Sequence, residues 1–367
     1  MVDRPTADNT RYFRVRRNTR LLTVGVLSTT FVLAGCGDDS ASNKSSSPTS
    51  SSAATSSAAK PLTVSPDKVT PMTAIKVDEK NPKAPKLTLA TKPFQANQTT
   101  ARVVKKGSGA AVKATDIAYV NYLAVNGTNG KELLSTYGKD DVAVVLNDKS
   151  QFPGFVKALT GKPVGTVMDV AIPPADGFGA QGSQQLGITA NDTLIFRMTI
   201  TGASAVLDKP AGTTVAPKKE LPAVAVSDGN QSKKPATITM PKSGGKVAAA
   251  PKSLVSQDLI TGKGRKVVEG QTVKVRYTGV VWGTGKVFDS SAKNGGAPAD
   301  FPLQTASATN PQGLLPGFVK GLVGKPVGSR VLLVLPPAEG YGAQGQPAAG
   351  IKGTDTLVFV VDILAAL

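Results

Sequence analysis

A block of 29 residues that occurs twice constrains the architecture of this chain more than any other feature. Positions 154–182 and 317–345 are identical at 18 of 29 places, at a constant separation of 163 residues and without a gap. Solenoid repeats have periods of about 20–50 residues, which is far shorter than this separation. The chain of 367 residues is therefore expected to contain two copies of one complete domain, each long enough to bury its own core.

The composition excludes several classes of function. The sequence contains no His and a single Cys, Cys36. The lack of His excludes Ser-His-Asp and Cys-His catalysis and most zinc sites. We expect neither a metal nor a cofactor. The net charge is +18, and no block of Lys or Arg is interleaved with aromatic residues, so nucleic acid is not expected as a partner. Scattered surface charge is the favoured interpretation of the excess, and attraction to an anionic membrane or cell-wall surface is the functional alternative.

Residues 1–35 are predicted to be a lipoprotein signal peptide. Six Arg precede an uncharged apolar stretch at 21–35, which is too short to be interpreted as a membrane span. The sequence Leu-Ala-Gly-Cys at 33–36 resembles a bacterial lipobox, in which Cys36 would carry the lipid. The alternative is an ordinary secretory signal whose cleavage site contains a Cys. Lipidation predicts a protein held on the extracytoplasmic side of the cell membrane.

The remaining chain divides into a tether, two repeats and a linker. Residues 36–60 are rich in Ser and Ala and predict a flexible tether. The first domain is placed at 84–203, the second at 253–367, and a linker with possible edge strands at 204–252. Runs of Val, Ile, Thr and aromatic residues predict these strands: 84–92, 117–123, 142–146, 166–172, 193–201, 223–226, 236–240, 272–277, 286–289, 301–303, 329–335 and 356–364. One short helix is predicted in each repeat, at 155–159 and 315–322, so the fold class is α+β.

Five motifs of the second repeat carry a family resemblance. They follow one another over about 110 residues, and they are VRYTG at 275–279, GKVFDSS at 285–291, LLPGF at 314–318, PPAEGYG at 336–342 and TLVF at 356–359. In order, spacing and residue type they resemble FKBP-type peptidyl-prolyl cis-trans isomerases. The resemblance implies two FKBP-like domains, each a twisted antiparallel sheet wrapped around one short helix, with an apolar pocket between sheet and helix.

The resemblance also implies the site residues. Phe318 would form the floor of the pocket, Tyr341 would donate a hydrogen bond to a substrate carbonyl, and Asp289 would hold the hydroxyl of Tyr277. Core packing is the alternative role for Tyr277 and Phe359, a turn is the alternative for Asp289, and Trp282 is interpreted as a surface or lid contact. The implied catalytic residues are Tyr277, Phe288, Asp289, Leu315, Phe318, Tyr341 and Phe359, and the implied peptide-binding residues are Leu314, Ile351, Tyr122, Phe155 and Phe196.

The two repeats differ at these positions. Leu133 and Leu134 replace Phe288 and Asp289, and Phe178 replaces Tyr341. The pair at 151–152 reads Gln-Phe where the second repeat has Leu-Leu, and the connection before it is eight residues shorter. We therefore expect the second repeat to be the active one and the first to be weak or inactive.

The expected function is catalysis of prolyl isomerisation in proline-containing segments of exported proteins, at the outer face of the membrane. A peptide-binding chaperone or interaction module with little catalysis is the alternative. A solute-binding lipoprotein would share the lipobox, but it needs two α/β lobes, which the β-rich repeats do not provide.

Overall fold

The computed structural model describes residues 63–307, 309–310 and 313–367, which form two antiparallel sheets with a short helix on each. The predicted signal peptide, Cys36 and the predicted tether lie outside the described residues. The predicted class, antiparallel sheets with few helices, is confirmed. Within the described ranges, no helix is long and apolar enough to cross a membrane.

The first sheet is built from the first repeat and has six strands. Their order is β3-β7-β8-β4-β5, and β6 pairs with β4 beside β5. The longest strands, β4 and β8, pair along their whole lengths at the centre of the sheet. The bounds are β3 Thr100–Lys105, β4 Asp116–Asn126, β5 Glu132–Ser135, β6 Val142–Val145, β7 Val167–Ile172 and β8 Leu194–Ala205.

The second sheet has seven strands and repeats this topology. Their order is β16-β15-β19-β18-β14-β9, and β17 pairs with β15. The additional strand β9 belongs to the region between the repeats and pairs with the edge strand β14. The bounds are β9 Gly212–Thr214, β14 Val255–Gly262, β15 Thr272–Val281, β16 Val287–Ser290, β17 Ala299–Pro302, β18 Arg330–Leu335 and β19 Leu357–Ala366.

One α-helix lies across the concave face of each sheet. Helix α1 is Pro153–Leu159 and helix α2 is Pro316–Leu322, and both begin with Pro, whose missing N–H has no role in the first turn. Gly321 of α2 lies so close to β18 that an added Cβ would be 2.5 Å from Leu333 Cδ2. The first repeat has the larger Ala158 in α1 and the smaller Val170 in β7 at the matching places. In each repeat a smaller residue on one side of the helix–sheet contact is thus matched by a larger residue on the other side, so that the helix packs closely on its own sheet.

The opposite face of each sheet is covered by the chain segment that precedes that repeat. The first cover, residues 63–98, contains the paired strands β1 (Ile75–Asp78) and β2 (Lys86–Leu89). The second cover, residues 218–252, contains two strand pairs, β10 (Ala223–Ala225) with β11 (Thr237–Thr239) and β12 (Lys242–Ser243) with β13 (Lys246–Val247). Apolar side chains of each cover pack on the outward-facing residues of the sheet beneath it.

The covers change three sequence-based expectations. The packed region of the first repeat starts upstream of the expected boundary at residue 84, because β1 pairs with β2. The possible edge strands at 223–226 and 236–240 pair with each other on the face of the sheet, whereas the strand that extends the sheet edge is β9. Trp282 is buried rather than superficial, because it packs beneath the second cover and donates a hydrogen bond to Ala248 O at 2.8 Å.

Buried hydrogen bonds and ion pairs connect each cover to its sheet. In the second repeat Gln231 is fully buried, accepts a hydrogen bond from Thr278 Oγ1 at 2.8 Å and lies near the buried ion pair of Arg330 and Asp362. Arg330 also donates to Gly229 O in the cover at 2.9 Å. In the first repeat the ion pairs of Asp169 with Arg102 and Arg197 serve the same purpose, since Arg102 Nη2 donates to a backbone oxygen of the first cover.

The two repeats also contact each other. The hydroxyl of Tyr119 in β4 donates to Ala366 O at the end of β19, at 2.8 Å. The guanidinium of Arg265 lies 3.9 Å from the centroid of the Tyr119 ring and donates twice to Asp141, at 2.9 and 3.0 Å. A small apolar cluster that includes Ile117 and Ala365 surrounds this contact.

Candidate functional site

Four aromatic residues of the second repeat meet between sheet and helix. Tyr277 and Phe359 lie on neighbouring strands, Phe318 comes from α2, and Phe301 comes from β17. The ring of Phe318 contacts Phe301 and Phe359 edge-on, at centroid distances of 5.7 and 5.4 Å, and Tyr277 lies 5.3 Å from Phe301. Edge-to-face packing at these distances is the favoured arrangement of aromatic pairs, so the cluster forms a rigid apolar base.

A cleft of about 300 Å³ lies next to this base. Phe288, Asp289 and Tyr341, three of the predicted site residues, line it together with Gln346, Ala348 and Ala349. The ring of Phe288 stands nearly perpendicular to that of Phe359, at 5.5 Å and 89°, and this contact connects the wall of the cleft with its base.

Gly279 permits that contact. An added Cβ at this position would lie 2.7 Å from Phe288 Cζ and 2.8 Å from Phe359 Cε1, both shorter than any ordinary contact. The first repeat has Ala124 at the same place, since Ala124 pairs with Phe196 as Gly279 pairs with Phe359. The glycine is thus specific to the repeat that has Phe288.

The polar group of the site is a chain of two hydrogen bonds. Tyr277 donates its hydroxyl to Asp289 Oδ2 at 2.6 Å, and Asn294 donates its amide to Asp289 Oδ1 at 2.9 Å. Burial, the hydrogen bond to Asp289 and the charge of that carboxylate raise the pKa of Tyr277 well above its ordinary value of 10.0. The phenol is therefore a fixed proton donor to Asp289 at neutral pH, and Asp289 has a fixed orientation.

Tyr341 differs from Tyr277 because its hydroxyl is available. It follows a turn that contains Pro337–Glu339, and within the described chain no residue forms a hydrogen bond with its hydroxyl. Burial and the charge of Asp289 raise its pKa above 10.0, so it keeps its proton at neutral pH. This geometry fits a donor to a bound carbonyl oxygen.

The other predicted residues of this repeat support the cleft from below. Leu314 and Leu315 are half-buried against the core, immediately before α2. Ile351 is buried, and it closes the loop above through backbone hydrogen bonds with Gln346. The six residues around the cleft include none of these three, and they do not include Tyr277, Phe318 or Phe359 either, so the pocket-lining role that the resemblance implies for all of these residues stays a prediction.

Several residues of the site were missed by sequence reasoning. Phe301 could have been found from its place in the apolar alternation of a predicted strand. Gly279 could have been found only by comparison with Ala124, the residue at the matching position of the first repeat. Asn294 has no pattern of its own, because its role depends on a turn that brings it back to Asp289. Ala348 and Ala349 lie in an irregular loop whose path the sequence does not specify, whereas the resemblance already implies that Gln346 lies near the mouth of the pocket.

Two additional aromatic rings occupy the corresponding place in the first repeat. Tyr122, Phe155 and Phe196 keep the same mutual packing, with centroid distances of 5.3 to 6.2 Å. The rings of Phe152 and Phe178 meet above them at 4.8 Å. A separate cavity of about 10 Å³ lies beside Phe152 and Phe155, and none of the residues at the positions of Phe288, Asp289 and Tyr341 lines it.

The polar chain is also missing from the first repeat. Leu134 lies opposite Ala124 in β5, where Asp289 lies opposite Gly279 in β16. Tyr122 consequently has an apolar neighbour in place of a carboxylate, and burial alone raises the pKa of Tyr122 to about 12. Among the described residues of either repeat, no group of three or more acidic, His or Cys side chains could hold a metal ion.

Comparison with known proteins identifies related sequences for both repeats. Residues 109–201 and 263–364, together more than half of the chain, match the family described as FKBP-type peptidyl-prolyl cis-trans isomerase. A probable FK506-binding protein of Corynebacterium glutamicum is 38% identical over 122 residues, which cover 33% of this chain and 92% of the relative. The FK506-binding protein of Streptomyces anulatus is 36% identical over 115 residues, covering 31% and 87%. The crystal structure of the three FKBP domains of wheat FKBP73 covers 73% of this chain and 94% of that chain, at 18% identity and a TM-score of 0.30.

Proposed function

This chain belongs to the FKBP-type peptidyl-prolyl cis-trans isomerase family, and we propose that its second repeat is the catalytic domain, acting on proline-containing segments of exported proteins at the outer face of the cell membrane. One observation carries the assignment to the second repeat. Its cleft of about 300 Å³ is lined by Phe288, Asp289 and Tyr341, whereas the first repeat has Leu133, Leu134 and Phe178 at these positions, and the ring of Phe178 packs against that of Phe152 at 4.8 Å.

The reaction needs no acid, base, metal or nucleophile. Rotation about an X–Pro bond is slow because amide resonance must be broken, at a cost of about 18–20 kcal/mol. The twisted amide has less charge separation than the planar one, so an apolar cleft that excludes water favours it over the planar ground state. Phe288 supplies apolar surface in the cleft, and its ring packs on Phe359 of the aromatic base.

The polar residues would orient the substrate. Tyr341 has a hydroxyl that no described residue binds, and it would donate to the carbonyl oxygen next to the proline. Asp289 is held by Tyr277 and Asn294, and together they keep the cleft wall in one shape while the amide rotates. Fixed geometry lowers the entropy that substrate binding must offset.

The location is part of the proposal. The lipobox-like sequence that ends at Cys36, followed by a tether rich in Ser and Ala, supports a lipid-anchored protein on the extracytoplasmic side. Exported chains emerge there unfolded, with prolyl bonds of both isomers. Proline-containing segments of those chains are the expected partners.

The experiment compares the cis-to-trans rate of a short X–Pro peptide with wild-type protein and with the double variant Tyr341→Phe and Asp289→Leu. These changes give the second repeat the residues of the first, and we expect most of the acceleration to be lost. A matched control, Phe178→Tyr with Leu134→Asp, makes the reverse exchange in the first repeat and should leave the wild-type rate within about twofold, because Phe152 still fills the cleft. An unaffected rate in the first double variant would refute the assignment to the second repeat.

The chaperone alternative rests on a different observation. The first repeat has kept its fold and its aromatic cluster although two additional rings occupy the place of the cleft, and Leu134 and Leu186 are exposed beside it. A binding role for that repeat predicts that the catalytically inactive double variant still suppresses the aggregation of an unfolded protein. If suppression disappears together with the rate, the isomerase interpretation alone remains.

A further inference from the structure

The second cover has a consistently basic outer surface. Residues 218–252 contain seven Lys and only two acidic residues, Glu220 and Asp228. All seven lysines are exposed, and none of them forms an ion pair with a carboxylate of the described residues. They are Lys218, Lys219, Lys233, Lys234, Lys242, Lys246 and Lys252.

The apolar side chains of the cover explain why the lysines point outward. In β11 and its flanks the buried residues Ala236, Ile238 and Met240 alternate with the exposed Thr237 and Thr239. The buried set packs on the sheet, so the other face of the cover must face solvent. Asp228 is turned into its own loop, where it accepts four backbone N–H groups, which leaves Glu220 as the one other acidic residue of the cover.

This basic surface lies on the side of the sheet away from the cleft. Along β18, Leu332 and Val334 pack against the cover, whereas Leu333 and Leu335 pack against the helix and aromatic core. The same alternation occurs in β19, where Val358 and Val360 contact the cover. A flat partner bound to the lysines would therefore leave the cleft open to solution.

We propose that the second cover is a docking surface for an anionic lipid bilayer, which holds the second repeat on the membrane with its cleft facing outward. This proposal rests on the extracytoplasmic, lipid-anchored location given above. Basic residues close to an anionic bilayer are attracted to it over distances of about 10 Å. Seven exposed lysines in one cover, opposed by one exposed acidic residue, match that partner in charge.

The chain length outside the described residues makes the contact possible. About 26 residues separate Cys36 from the first described residue, where the sequence predicts the tether, and a chain of that length reaches at most about 90 Å. A tether of this length lets the two repeats turn any face to the bilayer. It also keeps the lysines at a millimolar effective concentration near the lipid, so a weak surface attraction is sufficient to select the orientation.

The test uses the chain from residue 37 onward, which lacks the signal peptide and Cys36 but keeps every described helix and strand. Co-sedimentation is measured with vesicles of phosphatidylglycerol and phosphatidylcholine at 3:7, and with vesicles of phosphatidylcholine alone. We expect binding only to the anionic vesicles and its loss in 0.5 M NaCl. No binding to the anionic vesicles overturns the proposal independently of catalysis and of lipidation.

A matched pair of variants separates the surface from total charge. One variant has Lys→Gln at 218, 219, 242 and 246, and the control has Lys→Gln at 105, 106, 131 and 149, exposed positions of the first repeat. We expect at least a tenfold weaker partition for the first variant and less than a twofold change for the control, with unchanged circular dichroism in both. An equal loss in both overturns the proposal, as does tighter cover-dependent binding to soluble polyphosphate than to the vesicles.

The orientation is tested with the isomerase assay. Saturating anionic vesicles should leave the rate on a short soluble peptide within twofold of its value in solution, because the cleft faces away from the lipid. Strong inhibition by bound vesicles would show that the opposite face docks.

Discussion

The hydroxyl of Tyr277 donates a hydrogen bond to Asp289, whereas the hydroxyl of Tyr122 has no carboxylate partner among the described residues. Burial raises the pKa of Tyr122 to about 12 from 10.0. The folded chain thus holds this proton more tightly than the unfolded chain does. The contribution of the protonated Tyr122 to the free energy of unfolding is therefore complete below pH 10 and is lost as the pH rises from about 10 to about 12. The full loss corresponds to roughly 2–3 kcal/mol.

We therefore predict that Tyr122→Phe changes the free energy of unfolding by less than about 1 kcal/mol at pH 7, since no hydrogen bond is broken. Between pH 10 and 12 the variant should lose less stability than the wild type. Urea unfolding at a series of pH values measures both quantities. Equal alkaline losses in the two proteins would mean that the phenol is not the titrating group.

Gly279 supports a second prediction at this scale. In Gly279→Ala the new Cβ must push Phe288 or Phe359 away from their present contact, since the distances are 2.7 and 2.8 Å. Overpacking of this kind costs about 1–3 kcal/mol of stability. The displaced Phe288 forms the wall of the cleft, so we expect the isomerase rate to fall by about tenfold or more, as 1.4 kcal/mol in the barrier corresponds to a factor of ten.

The control for this prediction is Ala124→Gly in the first repeat. It removes a methyl group at the matching position, where no Phe288 is present, and should leave the rate unchanged. A wild-type rate in Gly279→Ala would mean that the contact of Phe288 with Phe359 is not needed for catalysis.

At the scale of elements, the second cover is a structural part of its repeat rather than a spacer. Ile238 and Met240 are buried against the sheet, at 9% and 8% exposure. Replacement of a buried Ile or Met by Ala typically costs 2–5 kcal/mol, so we predict a loss of about 2–4 kcal/mol in Ile238→Ala and in Met240→Ala. The isomerase rate of the folded variants should be unchanged, because the cover lies on the other face of the sheet.

Denaturant unfolding followed by the fluorescence of Trp282, the single Trp of the chain, gives this measurement directly. The exposed Thr237→Ala and Thr239→Ala serve as controls and should change stability by less than about 0.5 kcal/mol. A flexible linker would give equally small effects at all four positions.

The elements also show what the sequence can and cannot predict. The central strands and both helices were predicted within a few residues, because β15, β19 and α2 have the periodic apolar pattern of half-buried or buried elements. The sequence pattern does not predict β3 and β14, since β3 is an edge strand with half of its residues exposed and β14 is interrupted by Gln257 and Asp258.

The site followed a similar division. The family resemblance predicts the aromatic set, the Tyr277–Asp289 pair and the place of Gln346 near the pocket mouth, but it does not predict Asn294, Ala348 or Ala349. The role of these residues depends on where loops return in space, and loop paths have no periodicity that a sequence can reveal. The occupation of the corresponding place in the first repeat depends on how Phe152 and Phe178 pack, which residue identity alone does not determine.

At the scale of the whole molecule, the contact between the repeats centres on Tyr119 and Arg265. Tyr119 is buried and donates to Ala366 O, while Arg265 covers its ring and pairs with Asp141. The Arg265 side chain is 39% exposed, so its ion pair is partly screened and contributes at most about 1 kcal/mol. The cation–π contact adds about 0.5–1 kcal/mol, and the hydrogen bond of Tyr119 about 1 kcal/mol.

These small contributions decide whether the repeats unfold together. We predict that Tyr119→Phe with Arg265→Ala weakens the contact by about 2–3 kcal/mol, so that calorimetry resolves two unfolding transitions more clearly than in the wild type. The second repeat should keep its isomerase rate, since the contact lies at the far end of β19 from Phe359. Lys274→Ala, which breaks an exposed ion pair with Asp300 within the second repeat, is the control and should not separate the transitions. If the double variant still unfolds as the wild type does, the two repeats are coupled through the chain between them, which packs on the second sheet, rather than through the Tyr119 contact.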